Sequence, residues 1–142
     1  MQVETKKSLA SLGKIFTAFS TSLFLSGHII AQQAAMMNPG LVGRDQTEAI
    51  RINEAIFQAT GFGNTTMVVT PEGNVIIDTS LIVNASRHKR LLQAEDDGPV
   101  KYIILTHAHG DHTGGVNAWR EEGTEIIAQD EHYEFINYQN RL

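Results

Sequence analysis

The chain has no cysteine. Disulfides, thiolate metal sites and cysteine nucleophiles are excluded together, so any metal must be held by His, Asp, Glu or backbone oxygen. Positive charge is scarce as well: 11 Lys and Arg face 16 Asp and Glu, a formal net charge of −5. No Lys/Arg cluster interrupts that balance, so the phosphate footprint of a nucleic-acid binder is missing and no nucleic-acid partner is expected. Long apolar runs are absent too. The stretch IFTAFSTSLFL (residues 15–25) is shorter than the roughly 20 residues that cross a bilayer, and no stable membrane partner is expected. There is no internal repeat and no low-complexity tract. What remains, over 142 residues, has ordinary globular composition and room for one modest domain with a core.

The first residues differ from the rest. Lys6, Lys7 and Lys14 precede or open the apolar run, and SGHIIAQQAA then places small residues around Ala31. This is the layout of a secretory signal peptide. Residues 1–31 are read that way, with a periplasmic or secreted destination; an amphipathic helix or a membrane anchor is the alternative. His28 would leave with the signal. Residues 32–51, with Asn38-Pro39-Gly40 and Gly43, read as a lead-in or linker. Residues 52–142 are then the domain.

Within it, TTMVVT (65–70) and VIIDTS (75–80) are rich in β-branched residues around the turn PEGN, which predicts a hairpin. Both runs are apolar rather than alternating, so both faces are expected to be covered. The end of TEAIRINEAIFQATGFGN (47–64) reads as a further strand. NASRHKRLLQAE (84–95) predicts a helix with Asn84 as its N-cap. VKYIILT (100–106) is another buried-looking strand. GVNAWREEG (115–123) predicts a helix closed by Gly123, TEIIAQ (124–129) a strand, and DEHYEFINYQNRL a final helix opened by Asp130. Strands and helices alternate from residue 75, which argues for an α/β layer architecture.

One segment carries chemistry. LTHAHGDHTGG (105–115) holds three of the chain's six histidines and an aspartate within six positions. At this chain's own frequencies such a cluster would arise by chance in roughly 4 of ten thousand chains. Alternate residues of a strand share a face, so His107 and His109, at the end of YIILT, can point into one pocket. Asp111 and His112 open the next helix and can face that pocket from another side. Imidazole nitrogen and carboxylate oxygen are what zinc takes, at roughly 2.0–2.2 Å. Gly114 and Gly115 let the chain pack closely against a neighbouring strand. The other candidates have blander readings: His88 on an exposed helix face, His132 as a surface or helix-packing residue, Trp119 and Phe135 in packing, Glu121 and Glu122 on a solvated face.

THAHGDHTGG resembles the signature of the metallo-β-lactamase superfamily of hydrolases, and the preceding hairpin, helix and strand match its context. The resemblance implies that His107 and His109 bind a first metal and that Asp111 and His112 bind a second. It implies that Asp78 supports the site from behind its ligands. Two Zn2+ per complete site are expected, with Fe or Mn less favoured, since Gly110 stands where an acidic residue would favour iron. A metal-bound hydroxide would then attack a small-molecule substrate, with Asp111 orienting it as the catalytic carboxylate. Within the superfamily, IFQATGFGNTTMVVTPEGNVIIDTSL and EIIAQDEHYEFINYQNRL look most like the alkyl-sulfatase-like branch. β-Lactamases, lactonases and thioester hydrolases share the same motif, and an iron-dependent redox relative or a non-catalytic metal-binding fragment is the other reading. The expected fold is α/β, the first half of a metallo-β-lactamase-type αβ/βα sandwich. The remaining half of the fold, or an oligomer partner, is expected to supply further ligands and a leaving-group acid, and the 142-residue chain alone is expected to be inactive.

Overall fold

The computed structural model describes residues 38–139 and 141. The signal reading of residues 1–31 lies outside them. A compact unit runs from Pro39, so part of the stretch read as lead-in enters the sheet. Six strands lie side by side in chain order: β1 (Ile50–Arg51), β2 (Ile56–Ala59), β3 (Thr65–Val68), β4 (Asn74–Ile77), β5 (Val100–Ile104) and β6 (Glu125–Ile127). β1 to β4 form an antiparallel meander. β5 and β6 add in parallel. Parallel neighbours need a crossover. The first is α1 (Ile82–Gln93); the second carries two single turns, α2 (Gly110–Thr113) and α3 (Val116–Trp119). After β6 comes α4 (His132–Gln139).

The predicted hairpin is present, with Val68 opposite Val75. Its strands are not covered on both faces, as expected from their apolar runs. Burial alternates: Phe57, Ala59, Met67 and Ile76 are buried, and Gln58, Thr66, Val75 and Ile77 are half-exposed. The period-2 geometry of a strand sends neighbours to opposite faces. The buried face joins Val100, Ile103 and Leu105 to Leu91 and Leu92 of α1 and Trp119 of α3 in one core. Trp119 is the packing residue it was expected to be.

Several local expectations change. The helix expected at 84–95 begins two residues earlier, at Ile82, with Leu81 as N-cap and no side-chain cap bond. Asn84 therefore lies inside the first turn and is buried. The segment 115–123 makes only one helical turn, after which Gly123 turns the chain at φ 82°. Asp130 does not cap the last helix; the Glu131 amide donates to the Gln129 side chain at 2.7 Å instead. Glu121 is not a solvated residue. It accepts from the Val100 amide at 3.1 Å and from Lys89 at 3.3 Å, tying α1 to β5.

His88 departs furthest from its expectation. It is fully buried rather than on an exposed face. Its Nε2–H donates to the Thr60 carbonyl at 3.1 Å, and the Thr65 hydroxyl donates to Nδ1 at 2.9 Å. Burial, with the Arg87 guanidinium beside it, pushes its pKa down to about 4, against a smaller opposing pull from the Thr60 carbonyl. Arg87 in turn donates to the carbonyls of Gly43, Val42 and Thr60. The sequence predicts a helix here but not that Arg87 and His88 turn inward to satisfy a loop's carbonyls.

Candidate metal centre

β5 and β4 end side by side, and the site grows from that edge. The Asp78 amide donates to the Ile104 carbonyl at 2.9 Å. Asp78 then turns out of the strand with φ 55°, and Ser80 follows at φ 61°. Left-handed backbone is uncommon outside glycine, Asn and Asp. It is held here by bonds on every side. Thr106 donates to the Asp78 carboxylate twice, from its amide at 2.9 Å and its hydroxyl at 2.7 Å. The Thr79 amide and hydroxyl both donate to the His112 carbonyl, at 2.7 and 2.9 Å. The Ser80 hydroxyl donates to the Gly63 carbonyl at 2.6 Å. The three residues after β4 thus form a template against which the histidine segment is fixed.

The glycines serve this fit. A Cβ on Gly115 would stand 2.1 Å from the Thr79 carbonyl oxygen, so the expected close approach is real. Gly63 has φ 78°, and a Cβ there would meet the Asp111 carbonyl at 1.7 Å. Thr79, Ser80, Thr106 and Gly63 were not singled out in the sequence. The FGN tripeptide, with a glycine ahead of Asn64, was the only signal for the last of them.

The four predicted ligands come together. The ring centroids of His107 and His112 are 3.9 Å apart, and those of His107 and His109 are 4.8 Å apart. His107 and His109 are exposed at the sheet edge; Asp111 and His112 are half-buried. Asp78, at 7% exposure, lies behind them. His112 Nδ1 is 2.7 Å from its Oδ2. A carboxylate only accepts, so Nδ1 carries a proton, and in the neutral ring that metal binding requires Nε2 would keep its lone pair. The same logic fixes His107. The Thr106 hydroxyl has spent its one proton on Asp78, so at 3.1 Å it accepts from His107 Nδ1, freeing Nε2.

That arrangement allows a test of fit. His112 Nε2 faces Asp111 Oδ2 at 3.4 Å. With the ring neutral, a nitrogen lone pair and a carboxylate oxygen so placed could share a cation. Ligands about 2.1 Å from a tetrahedral ion stand about 3.4 Å from one another. Donor chemistry, tautomers and this spacing fit a zinc-like ion. They do not make a finished cage: among the described residues, no three His, Asp or Glu side chains already converge on one metal position.

A cavity of about 280 Å³ opens beside the cluster, lined by His107, His109, Gln129, Glu131, His132 and Phe135 among others. His132, half-buried at the start of α4, is the surface residue expected, and Phe135 departs from its packing expectation. Phe135 is 42% exposed rather than packed in a core, and its ring meets His109 edge-on at 5.9 Å.

The site thus places three histidines and an aspartate at the turn after a parallel strand, with a carboxylate behind them. Residues 59–135 match the family described as the metallo-beta-lactamase superfamily, and this chain belongs to it. It is similar to a linear primary-alkylsulfatase of Pseudomonas sp. (strain ATCC 19151), 43% identical over 39% of this chain and 11% of the relative. An alkyl/aryl-sulfatase of Saccharomyces cerevisiae is 33% identical over 58% of this chain and 14% of its own. A type 2 metallo-beta-lactamase of Bacillus sp. (strain 170) is 26% identical over 83% of this chain and 51% of its own. Among solved structures, an inverting sec-alkylsulfatase from Pseudomonas sp. matches the fold with a TM-score of 0.59 at 22% identity, over 66% of this chain and 16% of that one. The chain thus spans between about a tenth and about half of the length of these curated relatives.

Proposed function

We propose that this chain carries the histidine–aspartate side of a zinc-dependent hydrolase site that cleaves alkyl sulfate esters. The observation that carries the metal reading is the pair formed by His112 Nε2 and Asp111 Oδ2, 3.4 Å apart, with Asp78 holding the other ring nitrogen. Similarity to two sulfatases at 43% and 33% identity supports the substrate class. His107 and His109 would hold one ion, and Asp111 and His112 a second. Zinc held there would supply Lewis acidity, able to polarise an ester oxygen and to lower the pKa of water to about 7. Asp111 would orient the attacking water through the carboxylate oxygen not spent on metal. Asp78 would keep His112 in the tautomer that offers Nε2. Remaining ligands and the leaving-group acid would come from other parts of the fold or from a second copy. The signal-like residues 1–31 support export, and an intact Met1 on the native protein would count against it.

The test uses the native protein loaded with zinc. It should release sulfate from a long-chain alkyl sulfate, and His107→Ala should lose activity about 100-fold or more. Cleavage of a carbapenem but not the sulfate would replace the substrate reading with the lactamase one, which the coverage of 83% of this chain by the Bacillus relative favours. A protein that takes up no zinc would remove both.

A further inference from the structure

His107 and His112 each have a ring nitrogen bonded to a neighbour of fixed position, Thr106 at 3.1 Å and Asp78 at 2.7 Å. His109 does not. Its backbone carbonyl accepts from Thr113 and it stands at the N-cap of α2, but among the described residues its ring has no hydrogen-bond partner. Two other rings touch it: His107 edge-on at 87°, and Phe135 at 5.9 Å and 78°. Phe135 reaches this position because of the sheet. The Leu105 amide, two residues before the motif, donates to the Ile127 carbonyl at the end of β6 with a distance of 2.9 Å. The chain leaving β6 must therefore start beside the motif, and α4 lies along the same cavity.

We infer that Phe135 is the positioning residue for His109, doing by ring contact what Thr106 and Asp78 do for the other two imidazoles by hydrogen bond. This rests on the metal reading above for its consequence, though not for the contact itself. An imidazole with neither nitrogen engaged turns freely about its terminal torsion. An edge-to-face neighbour narrows that rotation and lowers the ordering cost that metal capture must meet. It also explains why a large aromatic side chain stays 42% exposed at a cavity wall. The segment after β6 thereby becomes part of the site, on the side not served by Asp78.

The experiment compares the 142-residue chain with Phe135→Ala and Phe135→Tyr. Two quantities are read: the imidazole 1H–15N signals of the zinc-free chain, and zinc affinity by competition with a chromophoric chelator. Phe135 is half in solvent, so its removal leaves the core intact. Phe135→Ala should shift and broaden the His109 ring signals, leave those of His112 in place, and weaken zinc binding about three- to tenfold. Phe135→Tyr should restore both. Unchanged His109 signals and affinity in Phe135→Ala would overturn the inference. So would an equal shift of all three motif histidines, which marks general loosening, or a failure of tyrosine to restore. If the unaltered chain took up no zinc, the ring signals alone would decide whether Phe135 holds His109, and the metal reading would be judged separately on the complete site.

Discussion

At the scale of single residues, Asp78 has the most consequence for its size. One carboxylate accepts from the Thr106 amide, the Thr106 hydroxyl and His112 Nδ1. Three donors need a group with no proton of its own. Asp78→Asn keeps the shape and removes that property. Whichever way the amide turns, an NH2 faces a donor. If it faces His112, the ring must move its proton to Nε2, the nitrogen that would bind metal. Zinc affinity in Asp78→Asn should fall about 10- to 100-fold, the usual cost of losing the partner behind a metal-binding histidine. Chelator competition measures it directly, and wild-type affinity in the variant would show that Asp78 has no hold on the ligand. His88→Ala is not a neutral control for such work, because it would empty a buried site bonded to Thr60 and Thr65. Glu122→Gln, on the exposed turn after α3, serves better.

At the scale of elements, the sequence was informative where period and composition act locally. The hairpin, the strand before the motif and the crowding of three histidines and an aspartate at one turn were legible, because β-branched runs, turn residues and a dense cluster of such residues each leave a mark in a few adjacent letters. Long-range partners left none. That Thr79 and Ser80 brace His112 and Gly63, or that Glu121 caps the Val100 amide, depends on segments 17 to 33 residues apart meeting at the ends of the strands. The junction between α2 and α3 turns this into a measurement. A Cβ on Gly115 would meet the Thr79 carbonyl, a backbone atom that the template holds in place. Gly115→Ala should cost at least about 1–3 kcal/mol in urea unfolding, as overpacking does. Gly110, one turn earlier and helical, has nothing within 4 Å of its added Cβ. Gly110→Ala should be neutral or stabilising by up to about 1 kcal/mol, the gain of alanine over glycine in a helix. Equal losses in both variants would mean that chain stiffness, not the contact with Thr79, sets the requirement at Gly115.

At the scale of the whole molecule, the chain has a sealed polar knot beside α1 as well as a solvent-facing histidine cluster. His88 is that knot's titratable member. It is held well below its ordinary value, at about 4, chiefly by burial and then by Arg87. In the unfolded chain a histidine takes up its proton near pH 6.5. Between those values the unfolded state binds a proton that the folded state refuses, so stability rises with pH through this window and is lost as pH falls from about 6.5 toward 4. The full interval corresponds to at most about 3 kcal/mol, and less where relaxation lets water reach the ring. A protonated His88 would also place a second cation beside Arg87, whose Nη2 is 3.3 Å from His88 Nε2, and would loosen the guanidinium that ties Val42 and Gly43 to α1. Urea midpoints of the zinc-free chain, taken from pH 7 to pH 5, should therefore fall with acid before most carboxylates titrate. Other groups contribute to the same slope, so the informative quantity is the difference from His88→Gln, which cannot take a proton. The variant should be less stable at pH 7 and should lose the part of the slope that His88 supplies. A slope identical in both proteins would place His88 outside the pH response and refute its being a neutral, buried imidazole that resists protonation.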